Sequence, residues 1–254
     1  MQVEHLSGSR IGTYKQCPLK YHAVYDFGMK GVDHPLTLMG SGVHTMFEMA
    51  TNTRIGVGAC ESSDPMWYKS YAVKEHGVDE ELWPLMDQLV KNGVDWGYFR
   101  NVSMTHGCEV EVLLTLPDGT KVKGFIDRLD KAPPDGADVI DLKTQKREFD
   151  DLELPKNWQA RIYNIGARDI LEGVTGKVSV SFWVLRHRVQ RVWLTQDDAN
   201  RDVDVLMALA QEIRDCKDPE PKPSGLCRWC PYHKKCSAAN EGVKARFRRK
   251  RHVR

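Results

Sequence analysis

The sequence predicts an α/β protein: a small mixed β-sheet flanked by helices, with a helical part before it and a cysteine-rich segment after it. Three observations carry this prediction. Apolar residues recur at helical spacing over the first hundred positions, then switch to strict alternation at Cys108, and the two periods interleave as far as Arg214. The chain has 254 residues, 41% hydrophobic and 28% charged, which suits a globular protein with a substantial core. Three of its seven cysteines, Cys227, Cys230 and Cys236, stand close together near the C-terminus.

Each element has its own signal. Residues 9–27 read as a helix through Ile11, Tyr14, Leu19, Tyr21, Val24 and Tyr25, with Pro18 as a kink or a break into two pieces. Residues 37–51 read as a second helix, carrying Leu38, Val43, Phe47 and Met49. A third is expected over 79–100, where Leu82, Leu85, Met86, Leu89, Val90, Val94 and Trp96 share a face. Residues 108–116 alternate as a strand, Pro117-Asp-Gly-Thr is a turn, and 121–130 form the return strand. A turn at Asp135-Gly136 precedes a short strand over 138–143. A helix follows Pro155 and runs to about Leu171, with Trp158, Ile162, Ile165 and Ile170 available to pack. Strands are expected over 177–185 and 189–194, and then a helix capped by Thr195 that runs to about Arg214.

Composition excludes some classes of function. No apolar run approaches the roughly 20 residues that a membrane-spanning helix needs. The N-terminus has neither a basic nor an apolar leader region, so the expected location is the cytoplasm. The net charge of +2 hides an asymmetry: Lys244, Arg246, Arg248, Arg249, Lys250, Arg251 and Arg254 form a basic tail over 244–254 without an acid. Setting these seven aside leaves 30 basic against 35 acidic residues in the body. Such a tail is either a phosphate-binding arm or a solubilising extension.

Asp127, Asp141 and Lys143 stand out chemically. Asp141 and Lys143 are two apart in an apolar strand, so their side chains share a face, and a charge at such a place needs a partner, a metal or a cavity. Pairing of this strand with the one before it would bring Asp127 to the same place. Two carboxylates and a backbone carbonyl supply hard oxygen ligands suited to Mg²⁺ or Mn²⁺, and a lysine beside them can orient water. The bland alternative is a solvent-facing ion pair of little consequence. His44 follows a glycine-rich helix start, and Gln159 and Tyr163 are i and i+4 on one helical face; each of these is unremarkable alone.

Together, Gly40-x3-His44, Gly124-Phe-Ile-Asp127, Asp141-Leu-Lys143 and Gln159-x3-Tyr163 resemble the PD-(D/E)XK nuclease superfamily, in the family's order. They are most similar to its RecB-type branch, which includes CRISPR-associated and phage exonucleases. The resemblance spans about Ser9 to Cys236. It implies a restriction-endonuclease-like core and a metal-dependent DNA exonuclease that hydrolyses phosphodiester bonds, on single strands or on ends. It implies that Asp127, Asp141, the Leu142 carbonyl and His44 bind the metal. Lys143 would position the attacking water, and Gln159 and Tyr163 would hold the lysine and the scissile strand. The superfamily accepts either acid at the position of Asp141. Glu109 and Glu111 are expected to be structural or peripheral.

Cys227-x2-Cys230-x5-Cys236 forms a compact set, and Cys17, in a Cys-Pro context, is the best fourth ligand. Spacing alone leaves a [4Fe–4S] cluster and a structural zinc both open. The resemblance favours iron, since RecB-type nucleases place one cysteine before the catalytic motifs and three after. His233 lies in the same loop as a less favoured ligand. Arg228, Trp229, Tyr232, Lys234 and Lys235 are candidates for contact with single-stranded DNA, or else pack around the cofactor. The expected organisation is one nuclease domain over 1–243, followed by the tail. Within it lie a helical insert at about 37–100, a core at about 105–195 and a cluster-binding segment at 216–240 closed by Cys17. The chain has no Gly-x4-Gly-Lys-Ser/Thr motif, so any unwinding falls to a helicase, recombination or CRISPR-adaptation partner. The competing function is a non-catalytic DNA-binding module with a structural zinc or iron–sulphur site.

Overall fold

The computed structural model describes residues 1, 3–31, 33–57 and 62–239, so the basic tail over 244–254 and Cys60 lie outside the described residues. Five strands form one sheet in the order β1-β2-β3-β4-β5. They are β1 (Thr105–Thr115), β2 (Lys121–Ala132), β3 (Gly136–Lys143), β4 (Val178–Val184) and β5 (Arg188–Leu194). β2 and β3 are antiparallel, with Arg128 opposite Ile140. β3 and β4 are parallel, with Asp141 opposite Phe182, and β4 and β5 are antiparallel again. The sheet is therefore mixed, as expected. A parallel neighbour cannot be reached by a tight turn, and the helix over Trp158–Ile170 supplies the crossover between β3 and β4. Every residue of β4 is buried, as befits a strand paired on both sides and covered on both faces.

The helices are α1 (Gly8–Gln16), α2 (Pro18–Tyr21), α3 (Pro35–Arg54), α4 (Lys69–His76), α5 (Trp83–Asp95), α6 (Trp158–Ile170) and α7 (Gln196–Asp215). Their ends follow local chemistry. The Asn157 side chain accepts from the N–H groups of Gln159 and Ala160 and so starts α6. At α7 the Thr195 hydroxyl accepts from Asp198 N–H while the Asp198 carboxylate accepts from Thr195 N–H, a reciprocal cap. The expected helix over 9–27 divides into α1, α2 and a π-helical turn over His22–Asp26, because Pro18 removes a donor at the break. α5 begins only at Trp83, since Pro84 favours the first turn of a helix over its interior.

The residues group into two compact units. The larger comprises Asp33–Leu114 and Lys123–Val203 and holds most of the sheet together with α3 to α6. Its core joins Met39, Val43, Met46, Phe47, Met86, Leu89 and Tyr98 to Ile140, Leu142, Trp183 and Leu185. On the same side Arg128, fully buried, is held by Asp130 at 2.5 Å, by Thr105 and by the carbonyls of Tyr98 and Arg100. The buried charge is thus paired and its donors are occupied. The smaller unit comprises Met1–Val32, Thr115–Val122 and Asp204–Arg254 and holds the four clustered cysteines. No helix among the described residues is long and apolar enough to cross a membrane.

Candidate active site and cysteine cluster

The site is built where β2 and β3 run beneath α3, within the larger unit. β2 delivers Asp127 and β3 delivers Asp141 and Lys143. The Asp127 carboxylate accepts from Leu142 N–H, so this acid bridges the two strands. Its other oxygen lies 3.1 Å from His44 Nδ1 on α3. Lys143 Nζ pairs with Asp141 Oδ2 at 2.6 Å. Tyr163 of α6 places its hydroxyl 2.8 Å from Asp141 Oδ1 and 2.6 Å from the Phe125 carbonyl, and Gln159 Nε2 donates to that hydroxyl at 3.2 Å. A phenol has one proton, so it serves one of these two acceptors at a time. All six side chains named from the sequence, His44, Asp127, Asp141, Lys143, Gln159 and Tyr163, converge. Leu142 meets Asp127 through its N–H.

Glu109 is the residue that sequence reasoning missed. Its carboxylate lies with His44 and Asp127, all three ligand atoms within 4.8 Å of one another, a group able to hold a metal ion. The backbone at Glu109 has a φ of +46°, inside a strand where such values are rare for anything but glycine. Beyond it Glu111 and Leu113 alternate on the exposed side of β1. The local twist turns Glu109 toward α3, and no pattern of residue types announces it.

An open cleft of about 710 Å³ lies over this group, lined among others by Gly40, His44, Glu48, Glu109, Lys143 and Arg186. Gly40 lets the chain after β3 approach: a Cβ there would meet Thr144 Oγ1 at 2.8 Å.

The electrostatics are those of crowded acids. Burial lowers the His44 imidazole, but the adjacent Asp127 carboxylate outweighs it and lifts the group to about 9. Burial raises Asp127, yet His44, Lys143 and the Leu142 N–H bring it below the usual carboxylate value. Asp141 is raised by burial and by repulsion from Asp127, more than Lys143 can offset. Burial and the Asp127 charge push Glu109 up to about 7. A divalent cation would reverse this logic by favouring every ionised carboxylate. The Asp141 Oδ2 atom is buried and, beyond its ion pair, lacks an aligned hydrogen bond. An imidazole and two acids whose ligand atoms lie within 4.8 Å of one another, with Asp141 on the neighbouring strand, fit a hard divalent cation.

In the smaller unit Cys17, Cys227, Cys230 and Cys236 all line one small cavity between residues 16–20 and 221–239. Backbone N–H groups point at two of the sulfurs, from Lys222 to Cys17 at 3.4 Å and from Ser224 to Cys227 at 3.2 Å. Such donors favour thiolates, and four thiols about one space fit a metal centre. The His233 ring instead lies 3.1 Å from the Cys227 carbonyl. Around the loop, Arg228, Trp229, Lys234 and Lys235 are exposed and Tyr232 is half-buried; the Arg228 guanidinium sits 4.7 Å from the centre of the Trp229 ring.

A mixed five-stranded sheet flanked by helices, with acids and a lysine gathered at neighbouring strands, defines the restriction-endonuclease-like class of α/β protein. The profile of the PD-(D/E)XK nuclease superfamily matches residues 5–237, and the chain belongs to that superfamily. It is thereby a nuclease of the hydrolase class, in a family that uses divalent metals and acts on DNA. Among solved structures, a candidate exonuclease from Eubacterium rectale is similar to it with a TM-score of 0.56 and 14% identity, over 90% of this chain and 88% of that one. That likeness shows the fold. A second, the protein SSO0001, covers 94% of this chain and 88% of its own with 16% identity and a TM-score of 0.43, too loose to argue from. No curated protein matches significantly.

Proposed function

We propose that this chain is a divalent-metal-dependent DNA exonuclease of the RecB type, acting on single strands or DNA ends and carrying a structural [4Fe–4S] cluster on Cys17, Cys227, Cys230 and Cys236. The observation that carries the reading is the meeting of His44, Glu109 and Asp127, their ligand atoms within 4.8 Å of one another, beside the Asp141–Lys143 pair, with hydrogen bonds that fix Asp127 and Asp141. His44, Glu109, Asp127 and Asp141 would hold Mg²⁺ or Mn²⁺. When bound, the ion supplies Lewis acidity and neutralises charge that develops on the phosphate. The chain does the rest. Lys143 orients the water that attacks phosphorus, and its ammonium offsets the negative charge of the crowded anion. Tyr163 and Gln159 lock Asp141 and keep Lys143 in register. Lys146 and Arg186 at the cleft rim attract the phosphate backbone.

The cysteine centre would be structural: it ties residue 17 to residues 227–236 and removes loop entropy from the unfolded chain. Arg228, Trp229, Tyr232, Lys234 and Lys235 would engage DNA from the same loop.

End-labelled single-stranded and duplex DNA, incubated with Mg²⁺, Mn²⁺ or EDTA, tests the activity. The wild type shortens DNA from an end only with metal, and Lys143→Ala loses at least 10²-fold, the scale of one electrostatic group at a reacting centre. Intact DNA with folded, cluster-loaded protein would overturn this reading, and salt-sensitive binding without cleavage would assign a DNA-binding module instead.

A further inference from the structure

Phe125 is misplaced for a structural residue. β2 is buried on both sides from Ile126 to Asp130, yet Phe125, immediately before, is 46% exposed. Its direction follows from its neighbours. A Cβ on Gly124 would meet Ile162 and Tyr163 of α6 at 3.4 and 3.5 Å, so Gly124 faces α6 and Phe125 faces the opposite side of the sheet. Asp127 shares that side, since it meets His44 of α3. Two residues of strand set Phe125 about 7 Å from Asp127.

On β1, Glu111 and Leu113 are both exposed positions of one alternation, Leu113 at 61%. Lys123 joins the two strands on this face: its ammonium pairs with Glu111 at 2.8 Å and lies 5.1 Å from the centre of the Phe125 ring. Phe125 and Leu113 are thus exposed on neighbouring strands, and the Lys123 ammonium is held over the Phe125 ring. Single exposed apolar residues are ordinary; Phe125 is set apart by lying two residues from Asp127, on the side from which Asp127 meets His44.

We propose that Phe125 and Leu113 form a stacking platform that receives an unpaired base of single-stranded DNA beside the Asp127 site. The proposal rests on the nuclease reading and names its substrate form. A nucleobase offers an apolar π-face whatever its identity, and a phenyl ring with a neighbouring aliphatic side chain offers the matching surface. Bases inside a duplex already stack on each other and have no free face, so the platform selects unpaired bases. Lys123, with its charge shared by Glu111, reaches the adjoining phosphate.

The test is equilibrium binding in EDTA of a labelled single-stranded oligonucleotide and of a hairpin duplex. Wild type, Phe125→Ala and Phe125→Trp are compared. The same oligonucleotide is also used with one abasic site walked along it. Phe125→Ala weakens single-strand binding roughly 5- to 150-fold, the range of one base stack, and duplex binding far less. Phe125→Trp restores it. At one position the abasic site lowers wild type to the level of Phe125→Ala and has no further effect on that variant. Equal single-strand binding by wild type and Phe125→Ala would overturn the platform, as would equal losses on both DNA forms. So would sedimentation showing a dimer that Phe125→Ala dissolves, which assigns the exposed pair to a second copy. If the stacking signature is present but no metal restores cleavage, the nuclease reading fails and the platform stands. If DNA is cut and Phe125→Ala binds and cuts like wild type, the reverse holds.

Discussion

At the scale of single residues, Asp127 and Glu109 show what a sequence does and does not reveal. Asp127 sits in an ordered string, Gly-Phe-Ile-Asp, on a strand whose alternation is plain, and its place beside Asp141 and Lys143 follows from strand pairing alone. Glu109 sits in an equally plain strand, but its role comes from one backbone angle. A positive φ costs a non-glycine residue about 1–2 kcal/mol. Glu109→Gly should therefore raise the melting stability by about 1 kcal/mol while lowering Mn²⁺ affinity at least tenfold; thermal melts and calorimetric titration read the two effects separately. Unchanged Mn²⁺ affinity would remove Glu109 from the metal site.

Asp198 gives a pH dependence. Burial pushes its carboxyl up, but the N–H and hydroxyl of Thr195 and the Arg201 guanidinium hold it below the usual carboxylate range. A folded-state value below the unfolded one stabilises fully above about pH 4, and the contribution is lost as pH falls through the folded-state value. Asp198→Ala should cost about 1 kcal/mol at neutral pH. Urea melts should show its gap from wild type closing under acid conditions; the same gap at pH 3 and pH 7 would refute the account.

At the scale of elements, capping and periodicity carried most of the fold. The strands begin and end within a few residues of expectation, since alternation and the Pro117–Thr120 and Asp135-Gly136 turns bound them. The Thr195 cap is where the sequence placed it. Short pieces were not legible, among them the 3-10 turn over Pro65–Tyr68 and α4, whose faces lack a clear apolar stripe and which form because Tyr68 and Ala72 pack into the helical core.

Gly40 shows two element-level effects in opposition. Alanine inside α3 gains about 1 kcal/mol of helix propensity, but its Cβ would press on Thr144 Oγ1 at 2.8 Å. Gly40→Ala should therefore destabilise in the wild type and stabilise by about 1 kcal/mol in a Thr144→Ala background. Additive effects in that double-mutant cycle would show that the close approach does not govern the glycine.

At the scale of the whole molecule, the sequence foresaw the mixed sheet and its flanking helices because long periodic segments leave few ways to bury their apolar faces. It could not foresee the grouping of residues into two units, since distant segments of one chain share a unit only through tertiary contact. The cysteine centre belongs to this scale. Cys17→Ala should lower the iron content of anaerobically prepared protein and its melting temperature together, by metal analysis and calorimetry. Stoichiometric zinc without iron in the wild type would replace the cluster by a structural zinc site.

The smaller unit is drawn from three stretches of chain, and the larger is threaded between them as residues 33–114 and 123–203. In the currency of gene rearrangement, the larger unit is a cassette. A single exchange spanning residues 33–203 moves it entire and carries along only the short Thr115–Val122 passage of its neighbour. The smaller unit has no such freedom: no one exchange gathers its pieces.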